Sequence, residues 1–576
     1  MEPGATRRNG ANRRPGRLLA RRARRRDRGG ERTRSPKTAV PDDLEQAVAQ
    51  LRAAFGDSPS LITRRFLAGP RGEIEAAVAY MDGLADKDVI NGHILRSIML
   101  EGSDGRTEAP PARPGTRDLV RSVLERLLSA SDAKIEANWT ALLDAVAAGN
   151  TALLFDGSAR AIVVSTPGWP QRTVVEPPSE TVVRGPRDGF TETLRVNESL
   201  VRRRIKDRRL RFEQLDIGRY SKTKVSVGYI EGIASEPIVN EVLARLGRIN
   251  VDAVLESGYL EEYIQDDPWS FFPQVVRTER PDTVAAALLE GRVAIMTDNT
   301  PFVLIAPATF SMFLSSPEDY YERFPIGSLI RVLRYIAFVS ALILPALYIA
   351  ITTYHQEILP TDLILAIAAA RQGVPFPALV EALLLETLFE VLREAGVRLP
   401  RVIGQAVSIV GALVVGEAAV SAGLVSPAMV IVVAMTAIAS FATPVFSFAI
   451  SARILRFVFM LAAATVGLFG IQIIALLLLL HLVSLRSFGV PYLSPVTPLH
   501  VDDLDDVVTR VPIWSNIARP ESIGVENAVR QERGQRPRPP ETFSGRRENS
   551  GEKRRDRRGG SDGGRSGDAS SGGDGR

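Results

Sequence analysis

Residues 335–353 read YIAFVSALILPALYIAITT, nineteen residues without a charge and with one proline. At a rise of 1.5 Å per residue such a helix would be ~28 Å long, close to the ~30 Å hydrocarbon core of a bilayer. Three further apolar runs follow at 402–421, 425–450 and 457–483, whose main polar interruptions are Gln405, Glu417, Gln472 and His481. One such run alone also fits the buried core helix of a soluble protein. Four in succession, joined by short loops, predict an α-helical transmembrane domain.

Working outward, the composition must be segregated. The 576 residues carry 71 Lys and Arg against 66 Asp and Glu, a net charge of +5, with no cysteine. Mean hydropathy is +0.04 although 24% of the residues are charged, which an evenly mixed soluble chain would not show. The missing cysteines exclude a disulfide scaffold, a thiol nucleophile and a thiolate-held metal. Residues 1–41 are dominated by arginine (Arg7, Arg8, Arg13, Arg14, Arg21, Arg22 and Arg24 among them) with little to bury. They read as a disordered basic arm, solvated or facing anionic lipid, with no nucleic acid expected as partner. The arm has no apolar stretch of signal-peptide type, which leaves the N-terminal domain on the cytoplasmic side. The C-terminal region 496–576 is read as a tail, disordered at least from 534 by its Gly, Ser, Arg and Asp content.

The region from 42 to about 310 alternates short β-runs (75–80, 152–155, 162–165, 224–229) with helical stretches such as 239–246 and 284–289. It carries an internal duplication. Val78, Tyr80, Gly83 and Asn91 align without gaps on Val227, Tyr229, Gly232 and Asn240. Further on, Gly149, Ala152, Asp156 and Ile162 align on Gly291, Ala294, Asp298 and Leu304. Asp156-Gly157 and Asp298-Asn299 have the chemistry of hairpin turns that require positive φ. The expected architecture is multi-domain: α/β subdomain 1 at 42–165, a linker with a basic helix at 166–222, α/β subdomain 2 at 223–315, and the helical membrane domain at 316–495. The basic stretch from Arg202 to Arg209 reads as a solvated face, or as a contact with another subunit or a lipid headgroup.

Within the membrane domain, residues 361–392 stand apart. Two apolar helical stretches carry Arg371, Glu381, Glu386 and Glu390, and Gly373, Pro375 and Pro377 break the helix between them. A charged side chain at membrane depth costs at least ~2.5 kcal/mol, so these groups should face protein or water. A broken helix is tolerated there only where protein covers it or it lines a cavity. Counting this region gives four to five membrane segments. Loop arginines (Arg323, Arg331 and Arg334, then Arg393, Arg398 and Arg401, then Arg453 and Arg456) favour five crossings, with the C-terminal region outside. Gly404, Gly411 and Gly416 allow close helix approach, and Gln405, Ser408 and Glu417 add polar groups to the same run.

The sequence lacks a GxxxxGK[ST] loop, a strand-borne GxGxxG and an HExxH, and its four histidines (His93, His355, His481, His500) lack ligand spacing. The expectation is a protein that is not an enzyme and uses no cofactor. His481, inside an apolar run, reads as a packing or interface residue.

Several stretches resemble a known family: ESGYLEE at 256–262, Pro268 with FPQ at 272–274, TERPD at 278–282, LLEGRV at 288–293, SPEDYYERF at 316–324, GVPFPALVE at 373–381, LREAGVRLP at 392–400 and RSFGVPYLSP at 486–495. Together they resemble the A subunits of bacterial spore germinant receptors, the GerA family, over about residues 42–495. The same stretches also resemble the SpoVAF-type relatives, which share the fold, so the alternative that the resemblance implies is a SpoVAF-type spore ion channel amplifying germination. The resemblance implies an integral protein of the spore inner membrane, working with a transporter-like B subunit that senses nutrient and a lipoprotein C subunit. It further implies a homo-oligomeric ring, a pentamer, that forms a nutrient-gated channel for monovalent cations in contact with membrane lipid. Charge and position then make Glu381, Glu386 and Glu417 the candidates for attracting cations and Arg371 a gate or ion-pair partner, with Glu390, Gln405 and Ser408 completing the candidate pore and gating set. The rival from another class is a non-conducting scaffold, in which the intramembrane charges are internal salt bridges.

Overall fold

The computed structural model describes residues 39–56, 58–68, 74–100, 120, 124, 133–168, 177, 180–398 and 416–538. The arginine-rich arm up to residue 38, the tail from 539, and Gln405, Ser408, Gly404 and Gly411 lie outside these.

Ten strands form two five-stranded, wholly antiparallel sheets. The first joins β1 (Leu61–Ala68), β2 (Ile74–Met81), β3 (Ala133–Glu136), β4 (Thr151–Phe155) and β5 (Ala161–Val164) in the order β1-β2-β4-β5-β3. The second joins β6 (Leu210–Ile217), β7 (Thr223–Ile230), β8 (Val276–Thr278), β9 (Val293–Thr297) and β10 (Val303–Ala306) in the order β6-β7-β9-β10-β8. Local chemistry repeats as well. Gly157 and Asn299 sit at φ +71° and +69° in the β4–β5 and β9–β10 turns. The aspartate beginning each turn accepts the first N–H of a distant helix. Leu44 of α1 (Leu44–Ala54) donates to Asp156 at 3.1 Å, and Leu194 of α2 (Leu194–Arg204) donates to Asp298 at 3.0 Å. A helix N-terminus leaves unpaired N–H groups, and a carboxylate there satisfies one and opposes the helix dipole.

That contact corrects the expected boundary. The stretch 166–222 is not a linker, because α2 and β6 are the first two elements of the second unit. β6 pairs with β7 along its full length, from Leu210↔Ile230 to Ile217↔Thr223. The arginine run concealed an amphipathic helix whose Leu194, Leu200 and Val201 are buried. Arg202 is buried too, its guanidinium 4.8 Å from the Phe212 ring centroid. Glu198, on the same helix, accepts from Ser60 of the first unit (3.1 Å) and from Ser226 (2.7 Å) and Gln214 (3.0 Å) of the second. This buried carboxylate therefore ties the two sheets together.

The helical half comprises α3 (Phe324–Thr353), α4 (Thr361–Arg371), α5 (Ala378–Arg398), α6 (Pro427–Phe441), α7 (Phe446–Val466) and α8 (Leu468–Ser484). Helices α3 and α7 are long and apolar enough to cross a membrane; α6 and α8 are shorter apolar helices. The runs 425–450 and 457–483 are thus not single helices, as the sequence had suggested. Pro444 lacks an N–H and disfavours helix at the residue before it, so α6 ends at Phe441 and α7 starts at Phe446. Gly467 divides the last run, at φ +67° and ψ −142°. A Cβ there would stand 2.7 Å from the His355 ring, which only glycine avoids.

Contacts fix the helix directions. α3 and α7 run in parallel away from the sheets: Phe338 stacks on Phe448 (4.8 Å), and farther out the Tyr354 hydroxyl donates to the Ala464 carbonyl (2.8 Å). α8 returns and brings His481 to within 2.9 Å of the Ser270 hydroxyl in the second α/β unit. The core of that unit continues into the bundle through Phe272, Phe313, Phe338, Phe448 and Tyr492.

The chain after α8 lies on the sheets. Ser487 donates to the Gln274 carbonyl (2.6 Å), Tyr492 to that of Pro273 (2.9 Å) and Arg519 to that of Leu289 (2.6 Å). These bonds bring both ends of the bundle's chain to the same α/β unit, unlike the arrangement expected from five crossings with an outward C-terminal region. The physical reason is Gly467, which turns one long run into an outgoing and a returning limb. Two single cysteines in this cysteine-free chain test it. In sealed vesicles of one orientation, an impermeant thiol reagent should label Glu357→Cys and Glu526→Cys from opposite faces; labelling of both from one face would refute the arrangement.

Candidate functional site

Helix α5 presents Glu386, Glu390 and Arg393 along one side, because residues three and four apart share a helical face. Helix α7 runs antiparallel to it and presents Arg453 and Arg456. Glu386 and Arg456 pair with each side chain only 1% exposed, and Arg456 Nε also donates to the Ala341 carbonyl of α3 at 2.8 Å. One turn nearer the sheets, Glu390 accepts from Arg453 at 2.8 Å and lies 3.9 Å from Arg393. Arg393 donates to Ser440 of α6 (2.9 Å) and sits between the rings of Phe389 (4.8 Å) and Phe441 (4.9 Å). At the opposite end, Glu381 is fully buried, 3.3 Å from Arg371, and accepts the Ser426 N–H at 2.8 Å. These contacts make α5 and α6 run alike, from Glu381 and Ser426 down to Arg393 and Ser440. They form a ladder of three carboxylates and four guanidinium groups holding α3, α4, α5, α6 and α7 together. Inside a low-dielectric bundle an unpaired charge is far costlier than a paired one.

A second charged cluster anchors the base of α3. Asp319, buried, accepts from Arg331 Nε (3.0 Å) and from Arg334 (3.0 Å). Arg331 also donates to Asp506 (2.7 Å), and Arg510 donates to the carbonyls of Asp319 and Glu322 (2.8 Å each). The Tyr320 ring lies between the guanidinium groups of Arg331 and Arg510, 5.4 Å from each, and its hydroxyl donates to Asp506 at 2.6 Å. Burial pushes the Asp506 carboxyl above its ordinary range, against the pull of Arg331, and pushes the Tyr320 phenol up. Beside this cluster a cavity of about 710 Å³ separates the second α/β unit from the segment after α8, with Arg280, Arg292, Tyr320, Asp503 and Arg519 in its wall.

The sequence-derived candidates therefore separate. Arg371, Glu381, Glu386 and Glu390 are brought together, as ion pairs within one chain rather than as free anionic groups. Glu417 is exposed on the helical stretch 416–421 before α6, and Gln405 and Ser408 lie outside the described residues. The sequence reading missed the partners Arg393, Arg453 and Arg456 by taking them as loop charges. Their i, i+3 spacing on an apolar run was the available signal.

Two antiparallel α/β sheets, the second continuous in core with a bundle of apolar helices that is cross-braced by buried charge, define a protein that combines a globular α/β region with a membrane-type helical domain. The chain belongs to the GerA family: residues 49–522 match the family model described as Bacillus/Clostridium GerA spore germination protein. It is 47% identical over 500 residues to spore germination protein KA of Bacillus subtilis, covering 87% of this chain and 90% of the relative. It is 46% identical over 443 residues to the membrane protein YfkQ of the same organism, covering 77% and 84%. The crystal structure of the N-terminal domain of the A subunit of the Bacillus megaterium spore germinant receptor GerK3 matches with 33% identity and a TM-score of 0.37, over 47% of this chain and 98% of that one.

Glu386→Gln should lower stability by ~3–5 kcal/mol, because it leaves the Arg456 guanidinium buried without its counter-charge. A double variant, Glu386→Met with Arg456→Met, should recover most of that loss. Thermal unfolding of the full chain in detergent measures both, and a single variant as stable as the parent would show that the pair carries no structural load.

Proposed function

We propose that this chain is the A subunit of a spore nutrient germinant receptor, embedded in the spore inner membrane with its α/β units in the cytoplasm. Its partners in this reading are a transporter-like B subunit that binds nutrient and a lipoprotein C subunit. Several copies, a pentamer in the simplest ring, surround a pathway for monovalent cations, and nutrient bound on the partner shifts the population toward an open arrangement of helices.

The two sheets, with one strand order, support descent from a duplicated unit. The directions of the described helices support passes outward along α3, inward along α5, inward along α6, then out and back along α7 and α8. In this reading Arg393 and Arg398 face the cytoplasm, as loop charge favours.

The observation that carries the oligomeric reading is the charge ladder. Glu381, Glu386 and Glu390 are matched by arginines of their own chain. In this reading the pathway lies between copies, lined in part by the exposed Glu417, and the ladder acts as the brace that sets helix positions in the closed state. The same pairing also favours the scaffold reading, in which this chain conducts nothing itself.

Cation conductance of the reconstituted chain, with its partner subunits and nutrient, separates them. Glu417→Gln should reduce conductance while leaving assembly intact. Absence of any nutrient-dependent current through correctly assembled receptor would favour the scaffold.

A further inference from the structure

The loop between the helix Ser257–Ile264 and strand β8 is rigid yet turns aromatic side chains outward. Gln274, 1% exposed, accepts the N–H groups of Asp266 (2.8 Å) and Asp267 (2.9 Å) and donates to the Asp267 carbonyl (2.6 Å). Phe272 points inward and packs on Phe448 and Tyr492. Its neighbours do the reverse: Trp269 is 90% exposed and Phe271 57%. A large aromatic side chain left in solvent on a fixed loop has lost conformational entropy without burying apolar area, which calls for something to cover it.

The loop's level along the bundle indicates what that is. Ser270 meets His481, one turn before α8 ends at Ser484, and the Ser451 hydroxyl donates to the Phe271 carbonyl. Ser451 is five residues into α7, ~7.5 Å along its axis. Trp269 and Phe271 thus stand near the level of the first turns of α7 and the last turn of α8, helices on which Phe446, Leu477, Leu480 and Val483 are exposed. A tryptophan at that depth combines an apolar ring with an N–H that reaches water or headgroups, the chemistry enriched at membrane interfaces.

We propose that the loop around Trp269 and Phe271 inserts into the headgroup–acyl boundary of the bilayer, so that the second α/β unit is itself a lipid-contacting body. The occupant is phospholipid, held by aromatic burial rather than by charge. The adjacent acids support this: Asp266 pairs with Arg245 and Asp267 caps the Trp269 N–H, leaving the loop no basic group to attract anionic lipid. The proposal rests on the membrane reading of α7 and α8.

Tryptophan emission of the full chain in bilayers of brominated phosphatidylcholine tests it. The contribution of Trp269 is the difference between the parent and Trp269→Phe, a change at an exposed site. Lipid brominated near the headgroup should quench most of that contribution, lipid brominated at the chain ends should quench it less, and high salt should change neither. In a Trp269→Phe background, Leu477→Trp reports whether α8 meets lipid. If that indole is quenched while Trp269 is not, the proposal fails and the membrane reading stands, whether Trp269 proves open to aqueous iodide or shielded by another protein surface. If neither is quenched, both fail.

Discussion

A charge in an apolar helix bundle has to find its opposite, and that requirement organises the membrane-type half of this protein. Glu386 and Arg456 are almost fully enclosed. Their mutual attraction offsets a desolvation cost that neither could bear alone. Because the partners lie on different helices, neutralising them fixes which helices touch and at what height. The second rung, Glu390 with Arg453 and Arg393, fixes the register, and Glu381 with Arg371 pins the broken segment at the other end. Buried ion pairs contribute modest net stability but penalise any rearrangement that separates them.

The α/β units are joined to this bundle by packing as well as by charge. Phe448 stacks on Phe338 at 4.8 Å and on Phe313 at 5.1 Å, so one aromatic cluster belongs to α3, α7 and the second sheet's core at once. The chain beyond α8 closes the joint by adding Tyr492 to that cluster and Phe488, Val490 and Ile523 to the other face of the sheet. Close-packed interiors transmit displacement instead of absorbing it. A shift of α3 relative to α7 therefore has to be felt in the second α/β unit, and the reverse.

Much of this was legible in the residues. The Asp156 and Asp298 turns, the glycines at positive φ and the helix break at Gly373–Pro377 were readable, because local backbone chemistry decides them. The first helix and edge strand of the second unit were not. Arg202 to Arg209 look solvated until a partner surface exists for Arg202 to enter. Helix ends inside uniformly apolar runs were equally hidden, since only Pro444 and Gly467 mark them and each has to be weighed against a long hydrophobic context. The candidate carboxylates were found, but not the arginines that pair with them. Sequence shows that a charge is present in an apolar helix, whereas its partner 70 residues away emerges only from packing.

The central claim is that Glu381, Glu386 and Glu390 brace helices and do not themselves attract ions. Exchanging the pair, Glu386→Arg with Arg456→Glu, and measuring nutrient-triggered cation release together with thermal unfolding tests it most directly. The account predicts that the exchange restores both toward the parent, whereas either single change loses both. Restored stability with cation release still abolished would contradict it, by showing that a carboxylate is needed at position 386 itself.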